Sequence, residues 1–217
     1  MRALLEDPEF ARRCLEDRKE LQAYFGLRLD LVRAVLDAGT LMFDEEVQLL
    51  RSLVELSNRV PGPIIEIGTL FGERTTRIAL WKSGEKKIIT VDNYCWNPWG
   101  LGPLAHQSLT DRVLRYLQDA GQVEIHNCDK GEFYRNYRGP QPSLVFLDAD
   151  HGYEATKADI AWAQKIGAAI ISGHDYSDAC PGVGRAVVEA GGAACLAGGV
   201  WALPSPYLND AVQRRAA

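Results

Sequence analysis

Apolar and polar positions follow a repeating order along most of this chain. From residue 61 onward, short apolar runs alternate with amphipathic segments whose apolar positions recur at helical spacing. Strands are predicted at 63–68, 87–92, 122–126, 143–148 and 168–173, and helices at 73–82, 106–120, 130–137, 153–165 and 183–190. Short apolar strands separated by amphipathic helices predict a parallel sheet with right-handed crossovers. We therefore expect a doubly wound α/β core.

Both ends of the chain depart from this alternation. Residues 1–60 show helical spacing, and Pro61-Gly62-Pro63 stops helix formation. Near the other end, the runs 193–197 and 200–204 are joined by Gly198-Gly199, which is a hairpin signal. We predict an N-terminal helical cap or lid over 1–60 and a Rossmann-like domain over 61–217, with a seven-stranded, mostly parallel sheet that ends in an antiparallel hairpin.

Composition narrows the range of partners. The chain has 217 residues, 47% of them hydrophobic, a net charge of −5 and a pI near 5.4. Nucleic acids and anionic membranes attract clustered Lys and Arg, so this balance favours a small-molecule substrate over either of them. There is no run of 18 apolar residues, and the expected location is the cytoplasm.

The cysteines carry no motif that predicts a disulfide framework or a thiolate zinc site. They are odd in number and scattered, without CxxC spacing. We expect buried or incidental thiols at Cys14, Cys95, Cys128, Cys180 and Cys195.

A glycine-containing turn follows the first predicted strand. Glu66, Gly68 and Gly72 form an ExGxxxG pattern, and Asp92 ends the next strand, twenty residues after Gly72. Glycines at a strand-to-helix turn let backbone N–H groups approach a ligand, and a carboxylate at the neighbouring strand tip can accept ribose hydroxyl hydrogens. This pattern predicts a nucleoside-cofactor site, and its glycine spacing differs from the GxGxxG of nicotinamide binding.

Ionisable residues also follow two later strands. Asp148, Asp150 and His151 come after the apolar run 144–147, and His174-Asp175-Tyr176 follows the next predicted strand. Carboxyl ends of parallel strands meet at one edge of the sheet, where ligands bind in such folds. Because unpaired charges are costly at a sheet end, this grouping predicts a reaction site or a metal site. The alternative is that Asp148 and Asp150 only cap the following helix.

From about Pro61 to Pro204, the chain resembles class I S-adenosylmethionine methyltransferases. The ExGxxxG turn, Asp92 and the terminal hairpin carry this resemblance. The DAD run at 148–150 and the HDY run at 174–176 resemble the small metal-dependent O-methyltransferases of the catechol, caffeoyl-coenzyme A, macrolide and aminocoumarin sugar types.

The resemblance implies S-adenosylmethionine as co-substrate. It implies that Glu66 organises the turn or meets the cofactor's amino group, that Asp92 holds the ribose, and that Asp129 faces the adenine or caps a helix. Arg74 would either clamp the methionine carboxylate or lie exposed on its helix. The expected cofactor-binding residues are Glu66, Gly68, Thr69, Gly72, Arg74, Thr75, Asp92, Asn93, Asp129, Lys130, Asp148 and Asp150.

The resemblance further implies a metal-assisted reaction. Asp148, His174 and Asp175 would bind Mg²⁺ or Mn²⁺, and His151 would be the general base. His174 departs from the family's oxygen ligands, which leaves metal identity and metal requirement open. Without a metal, His151 or His174 alone could be the base.

The expected activity is O-methylation of a small hydroxylated metabolite, phenolic or sugar-bearing, in secondary metabolism. The alternatives are a metal-dependent oxidoreductase or hydroxylase-like protein on the same fold and a cofactor-binding scaffold without catalysis. The loop with Trp96, Trp99 and Leu101 would either cover the site or seal a dimer, and we expect a homodimer. His106, on a helix flank, and His126, in a strand, are expected to be incidental.

Overall fold

A computed structural model of the protein describes residues 42–98 and 100–208. The predicted helical cap before residue 42, Trp99 and the chain after residue 208 lie outside these described residues. The strands are β1 Ile64–Ile67, β2 Ile88–Asp92, β3 Val123–Asn127, β4 Leu144–Leu147, β5 Ile171–Gly173, β6 Cys195–Ala197 and β7 Val200–Ala202. They form a seven-stranded sheet in the order β3-β2-β1-β4-β5-β7-β6.

The strand directions confirm the predicted fold class. Strands β1 to β5 pair in parallel, whereas β7 runs antiparallel to both β5 and β6. The parallel strands therefore place their carboxyl ends along one edge of the sheet, and the predicted hairpin completes the other end of the strand order.

The described helices are α1 Asp44–Ser57, α2 Glu73–Trp81, α3 Pro103–Asp119, α4 Lys130–Asn136, α5 Tyr153–Lys165 and α6 Pro181–Glu189. Two of them begin earlier than the sequence predicted, because Pro103 and Pro181 occupy the first turn. Proline is favoured there, since its fixed φ suits the helix and its missing N–H would have no partner within the helix. Strand β5 is three residues shorter at its start than predicted.

Helices cover both faces of the sheet. All four residues of β1 are buried, and neighbouring residues enter different cores: Ile64 packs with Leu50 of α1 and Leu114 of α3, whereas Ile65 packs with Trp162 of α5 and Val187 of α6. Because successive side chains of a strand point to opposite faces, the apolar runs of the sequence supply both cores at once.

Loops at the carboxyl edge contain strained backbone. In the described part of the chain, the non-glycine residues with positive φ are Leu70 at 50°, Tyr94 at 57° and Asp175 at 59°. They follow β1, β2 and β5, respectively. Non-glycine residues adopt this left-handed conformation at an energetic cost, and such strain concentrates at functional sites. Within the described residues, no helix has the length and apolar character that crossing a membrane requires.

Candidate functional site at the carboxyl edge of the sheet

The glycines of the first turn are required by packing. Gly68 has φ of 98°, and a Cβ at this position would collide with the backbone oxygen of Asp148. Gly72 has φ of 77° and precedes α2, where a Cβ would press against the side chain of Leu114. The turn after β1 therefore lies directly against the end of β4, so the predicted cofactor loop and the predicted reaction site are in contact.

Glu66 organises this turn through hydrogen bonds with threonine side chains. Its Oε2 accepts hydrogen bonds from Thr75 Oγ1 at 2.5 Å and Thr90 Oγ1 at 2.9 Å, and Thr90 also lies 2.6 Å from Thr69 Oγ1. Burial raises the pKa of Glu66 to about 7, although the Arg74 charge and the two threonines oppose this shift. The side chain is fully buried. These contacts favour the predicted organising role over direct contact with a ligand.

Asp92 connects the loops that follow β1 and β2. Its Oδ2 accepts the N–H of Leu70 at 2.9 Å, and its Oδ1 accepts the N–H of Tyr94 at 2.7 Å. Asn93 is exposed beside it and accepts the N–H of Cys95 through Oδ1. An ionised carboxylate offers about four acceptor positions. Asp92 therefore keeps capacity for a further donor after holding both loops.

His106 lies in helix α3, as predicted, and its ring supports the same two loops. The ring is fully buried, with Nε2 3.0 Å from the carbonyl oxygen of Leu70 and Nδ1 3.3 Å from that of Tyr94. Helix α3 turns this residue inward against the sheet edge. Asp92 thus accepts the backbone N–H groups of the two strained residues, and the His106 ring lies beside their carbonyl oxygens.

Asp129 and Lys130 follow β3, and both side chains already have protein partners. Asp129 caps α4 by accepting the N–H groups of Gly131 at 2.9 Å and Glu132 at 3.3 Å. Lys130 Nζ lies 2.7 Å from Oδ2 of the buried Asp159 in α5. The N-cap role is thus observed for Asp129, and the predicted adenine contact stays a prediction. His126 lies 2.7 Å from Glu124 on the strand surface.

Arg74 forms a partly shielded ion pair with Asp148. Its Nη2 lies 2.5 Å from Asp148 Oδ2 with both side chains less than 15% exposed, and its Nη1 lies 4.0 Å from Glu66 Oε1. The guanidinium also stands over the Phe146 ring. An exposed position on the helix surface is therefore excluded. Burial alone would raise the pKa of Asp148, but Arg74 and the neighbouring histidines hold it well below its usual range.

Four predicted residues form an acid–histidine cluster, which we define as Asp148, His151, His174 and Asp175. His151 Nε2 lies 3.0 Å from Asp175 Oδ2 and 3.5 Å from Asp148 Oδ1. His174 Nδ1 lies 3.3 Å from Asp175 Oδ2 and 3.9 Å from Asp148 Oδ1. The tips of β4 and β5 thus bring the four side chains together. Asp150 is exposed and accepts the N–H of Gly152 instead.

The carboxylates change the proton affinity of both histidines. The hydrogen bond with Asp148 and the Asp175 charge raise the pKa of His151, although partial burial opposes them. Burial disfavours the imidazolium of His174, but the hydrogen bond with Asp175 and the Asp148 charge outweigh it, so the pKa of His174 is raised as well. Both rings are therefore suited to holding a proton.

Glu46 is a site residue that the sequence did not reveal. It belongs to α1 and is 3% exposed, yet its Oε1 lies 3.2 Å from His174 Nε2 and accepts the N–H of Gly199 at 2.6 Å. Its Oε2 accepts the N–H of Phe43. In the sequence it stands in an acidic run at 44–46, within the residues that show helical spacing. No local signal connects it with a histidine 128 positions away.

Cavities elsewhere do not include this cluster. A cavity of about 1080 Å³ runs along β3 and α4, and one of about 1030 Å³ lies between α1 and β6. Neither has a member of the acid–histidine cluster in its wall. These two cavities are therefore separate from the acid–histidine cluster.

Comparisons with known proteins show that this chain is similar in structure to several solved proteins. Neither the protein-family models nor the curated proteins include a match to this sequence. Cofactor-bound Rv0187 from MTB is similar over 78% of this chain and 84% of its own, with 22% identity and a TM-score of 0.58. The O-methyltransferase from Bacillus cereus in complex with SAH is similar over 87% of each chain, with 18% identity and a TM-score of 0.57.

TomG from Streptomyces achromogenes, an O-methyltransferase involved in tomaymycin synthesis and solved with SAM, gives a similar result. The likeness covers 87% of this chain and 86% of that one, with 17% identity and a TM-score of 0.55. At such identity the likeness concerns the architecture. This chain therefore has the fold of the S-adenosylmethionine-dependent O-methyltransferases.

Proposed function

We propose that this protein transfers a methyl group from S-adenosylmethionine to a hydroxyl oxygen of a small metabolite, phenolic or sugar-bearing. The observation that carries this proposal is the position of His151. Its Nε2 faces Asp175 and Asp148 at the sheet edge, and Asp148 in turn contacts the turn after β1 through Arg74 and Gly68. A proton acceptor and a nucleoside-type turn therefore share one edge of the sheet.

The residues at the first two strand tips suit the cofactor. Asp92 keeps acceptor capacity for ribose hydroxyls, and α2 begins after Gly72, which has no side chain to cap it. An uncapped helix start offers N–H groups and a positive dipole end to a carboxylate such as that of methionine. Three solved relatives in fold were crystallised with a cofactor, SAH or SAM, which supports the same co-substrate here.

The acid–histidine cluster also suits a divalent ion. Single ligand atoms of Asp148, His174 and Asp175 lie within 4.8 Å of one another. Glu46 holds His174 Nε2, so Nδ1 faces the carboxylates, and a carboxylate behind a histidine is the usual support for a metal ligand. The mixed donor set favours Mn²⁺ or Fe²⁺ over Mg²⁺. The sulfonium supplies an activated methyl group, and a bound ion would lower the pKa of the acceptor hydroxyl.

Side chains of this protein then accept the substrate proton and stabilise the charge that results. His151 Nε2 accepts the hydroxyl proton as the oxygen attacks the methyl carbon, and the S–CH₃ bond breaks with its electron pair returning to sulfur, which leaves S-adenosylhomocysteine. Asp175 and Asp148 stabilise the imidazolium that results. Arg74 occupies the other oxygen of Asp148, which keeps that carboxylate ionised and oriented. The turn after β1 and the tip of β4 hold donor and acceptor in fixed positions, which is the main requirement for an already activated methyl group.

Binding and turnover test this proposal separately. Calorimetry should show S-adenosylhomocysteine binding at micromolar affinity, lost in Asp92→Ala. Mass spectrometry with a panel of catechols and hydroxylated glycosides should show a methylated product that His151→Ala loses while keeping cofactor binding. His126→Ala is the matched control, because this histidine pairs with Glu124 outside the cluster. Full turnover in His151→Ala would contradict the assignment of the base.

A second candidate function rests on the same geometry. Asp148, His174 and Asp175 offer one imidazole and two carboxylates, and one ligand atom from each lies within 4.8 Å of the others. Such a mixed nitrogen and oxygen set also suits the redox ion Fe²⁺. Turnover that requires Fe²⁺ and oxygen and gives no methylated product would favour this alternative over methyl transfer.

A further inference from the structure

Cys180 lies beside the acid–histidine cluster, although the spacing of the cysteines predicted no metal site. It immediately precedes α6, and one ligand atom from each of Cys180, His151 and Asp175 lies within 4.8 Å of the other two. His151 Nε2 and Asp175 Oδ2 are 3.0 Å apart. All three residues are partly exposed. A dissolved ion can therefore reach a thiol, an imidazole and a carboxylate that converge on one point.

These three donors have the chemistry of a site for a thiophilic cation. Zinc binds thiolate sulfur at about 2.3 Å and imidazole nitrogen at about 2.0 Å, so its ligand atoms stand roughly 3.5 Å apart. The His151 and Asp175 atoms already meet that spacing, and the thiol needs to approach by about 1 Å, which side-chain rotation can provide. Mg²⁺ gains little from sulfur, so Cys180 selects for softer ions.

We propose that Cys180, His151 and Asp175 form a binding site for Zn²⁺ or a similar thiophilic divalent cation, and that occupation of this site inhibits the enzyme. The inhibition rests on the proposed function, because the ion would take the lone pair of His151 Nε2 that accepts the substrate proton. The binding itself does not depend on that function. On ligation, the thiol proton leaves to solvent and the sulfur becomes a thiolate ligand.

The shared oxygen of Asp175 explains how one cluster can distinguish two ions. Asp175 Oδ2 contacts His174 at 3.3 Å on one side and His151 at 3.0 Å on the other. A cation that prefers oxygen would use Asp148, His174 and Asp175, whereas a thiophilic cation would move toward Cys180. The first position leaves His151 free, and the second removes it from the reaction.

Cobalt provides a direct probe of the sulfur ligand. Full-length reduced protein titrated with Co²⁺ should develop a near-ultraviolet thiolate-to-cobalt charge-transfer band, and Cys180→Ser should lose it. Cys95→Ser is the matched control, because Cys95 is an exposed thiol on the loop after β2, and it should keep the band. His151→Ala should weaken cobalt affinity by at least about tenfold. A band that persists in Cys180→Ser, or no band in the wild type, would overturn the site.

Zinc inhibition tests the second half of the proposal. The ratio of methyl transfer with and without Zn²⁺ is measured for each variant, so that any change in basal rate cancels. Cys180→Ser should need at least about tenfold more Zn²⁺ for half inhibition than the wild type or Cys95→Ser. Equal sensitivity of wild type and Cys180→Ser would refute inhibition through this site. If no acceptor is methylated, the proposed function fails, and the cobalt band alone decides whether the cation site exists.

Discussion

Glu46 lies in α1, which contributes no member of the acid–histidine cluster. Replacing it should nevertheless disturb that cluster. A neutral imidazole has one N–H, and the Glu46 carboxylate 3.2 Å from His174 Nε2 favours the tautomer with the proton on that nitrogen. Asp175, 3.3 Å from Nδ1, favours a proton on that nitrogen instead, so the two carboxylates compete for the proton of a neutral His174 ring. Glu46→Ala leaves only the Asp175 side of this competition, so Nδ1 should be protonated in more of the molecules and lost as a ligand or base.

The contacts of Glu46 determine how much the free energy of unfolding should fall when it is replaced. Its carboxylate accepts the N–H of Gly199 at 2.6 Å and that of Phe43 at 2.8 Å in addition to facing His174. A buried donor left without an acceptor costs about 1–3 kcal/mol, and Phe43 is exposed enough for water to replace the carboxylate. The two remaining donors predict a loss of roughly 2–6 kcal/mol in the free energy of unfolding for Glu46→Ala. Glu46→Gln keeps one acceptor oxygen and should lose about 1–3 kcal/mol.

Long-range proton–nitrogen NMR spectra of the imidazoles can separate positioning from general stability. Wild type should show His174 protonated on Nε2 in a larger fraction of molecules than Glu46→Ala, and this variant should have its Mn²⁺ affinity or kcat/KM reduced about 10- to 100-fold. Glu45→Gln is the matched control, because its side chain is exposed one position earlier on the same helix. An unchanged His174 spectrum in a folded Glu46→Ala protein would refute the reasoning.

Three other substitutions test the contacts around the turn. Arg74→Ala leaves Asp148 without its partner in a largely buried site, so unfolding experiments should show a loss of about 3–5 kcal/mol, whereas exposed Arg51→Ala should change little. The pKa of Glu66 is raised from 4.5 to about 7, so its protonated form stabilises the fold below pH 4.5 and that contribution is lost as the pH rises through 7. Glu66→Gln should therefore gain stability relative to wild type between these pH values, by up to about 3 kcal/mol, and a constant difference from pH 4 to 8 would contradict this. Gly68→Ala should lower both stability and cofactor affinity, because its methyl group would collide with the Asp148 backbone oxygen, while Gly84→Ala has open space and should be tolerated.

The sequence predicted those parts of the molecule that depend on local pattern. Apolar runs and amphipathic spacing predicted the strands. The rule that parallel strands end at one edge of the sheet predicted that Asp148, His151, His174 and Asp175 lie close together. Element boundaries were less accurate where a proline starts a helix, as at Pro103 and Pro181. These signals lie within a few residues of the features they predict.

Contacts between distant elements could not be predicted in this way. Helical spacing left Arg74 either clamped or exposed, because the burial of that position depends on how α2 lies against β4. The roles of Glu46 and His106 depend on helices that meet loops far away in sequence. Cys180 lacks a second cysteine at metal-site spacing, and only the fold brings it next to His151.

Asp148 joins the two halves of the candidate site through its separate oxygens. Oδ2 binds Arg74, in the first turn of α2, at 2.5 Å, and Oδ1 faces His151 at 3.5 Å and His174 at 3.9 Å. Its backbone oxygen also requires the glycine at position 68. A movement of the turn on cofactor binding would therefore shift Oδ1 relative to both imidazoles, because one rigid carboxylate carries both oxygens. Because Asp148 lies between them, Arg74 also influences the orientation of the two histidines, although none of these contacts joins Arg74 to either ring.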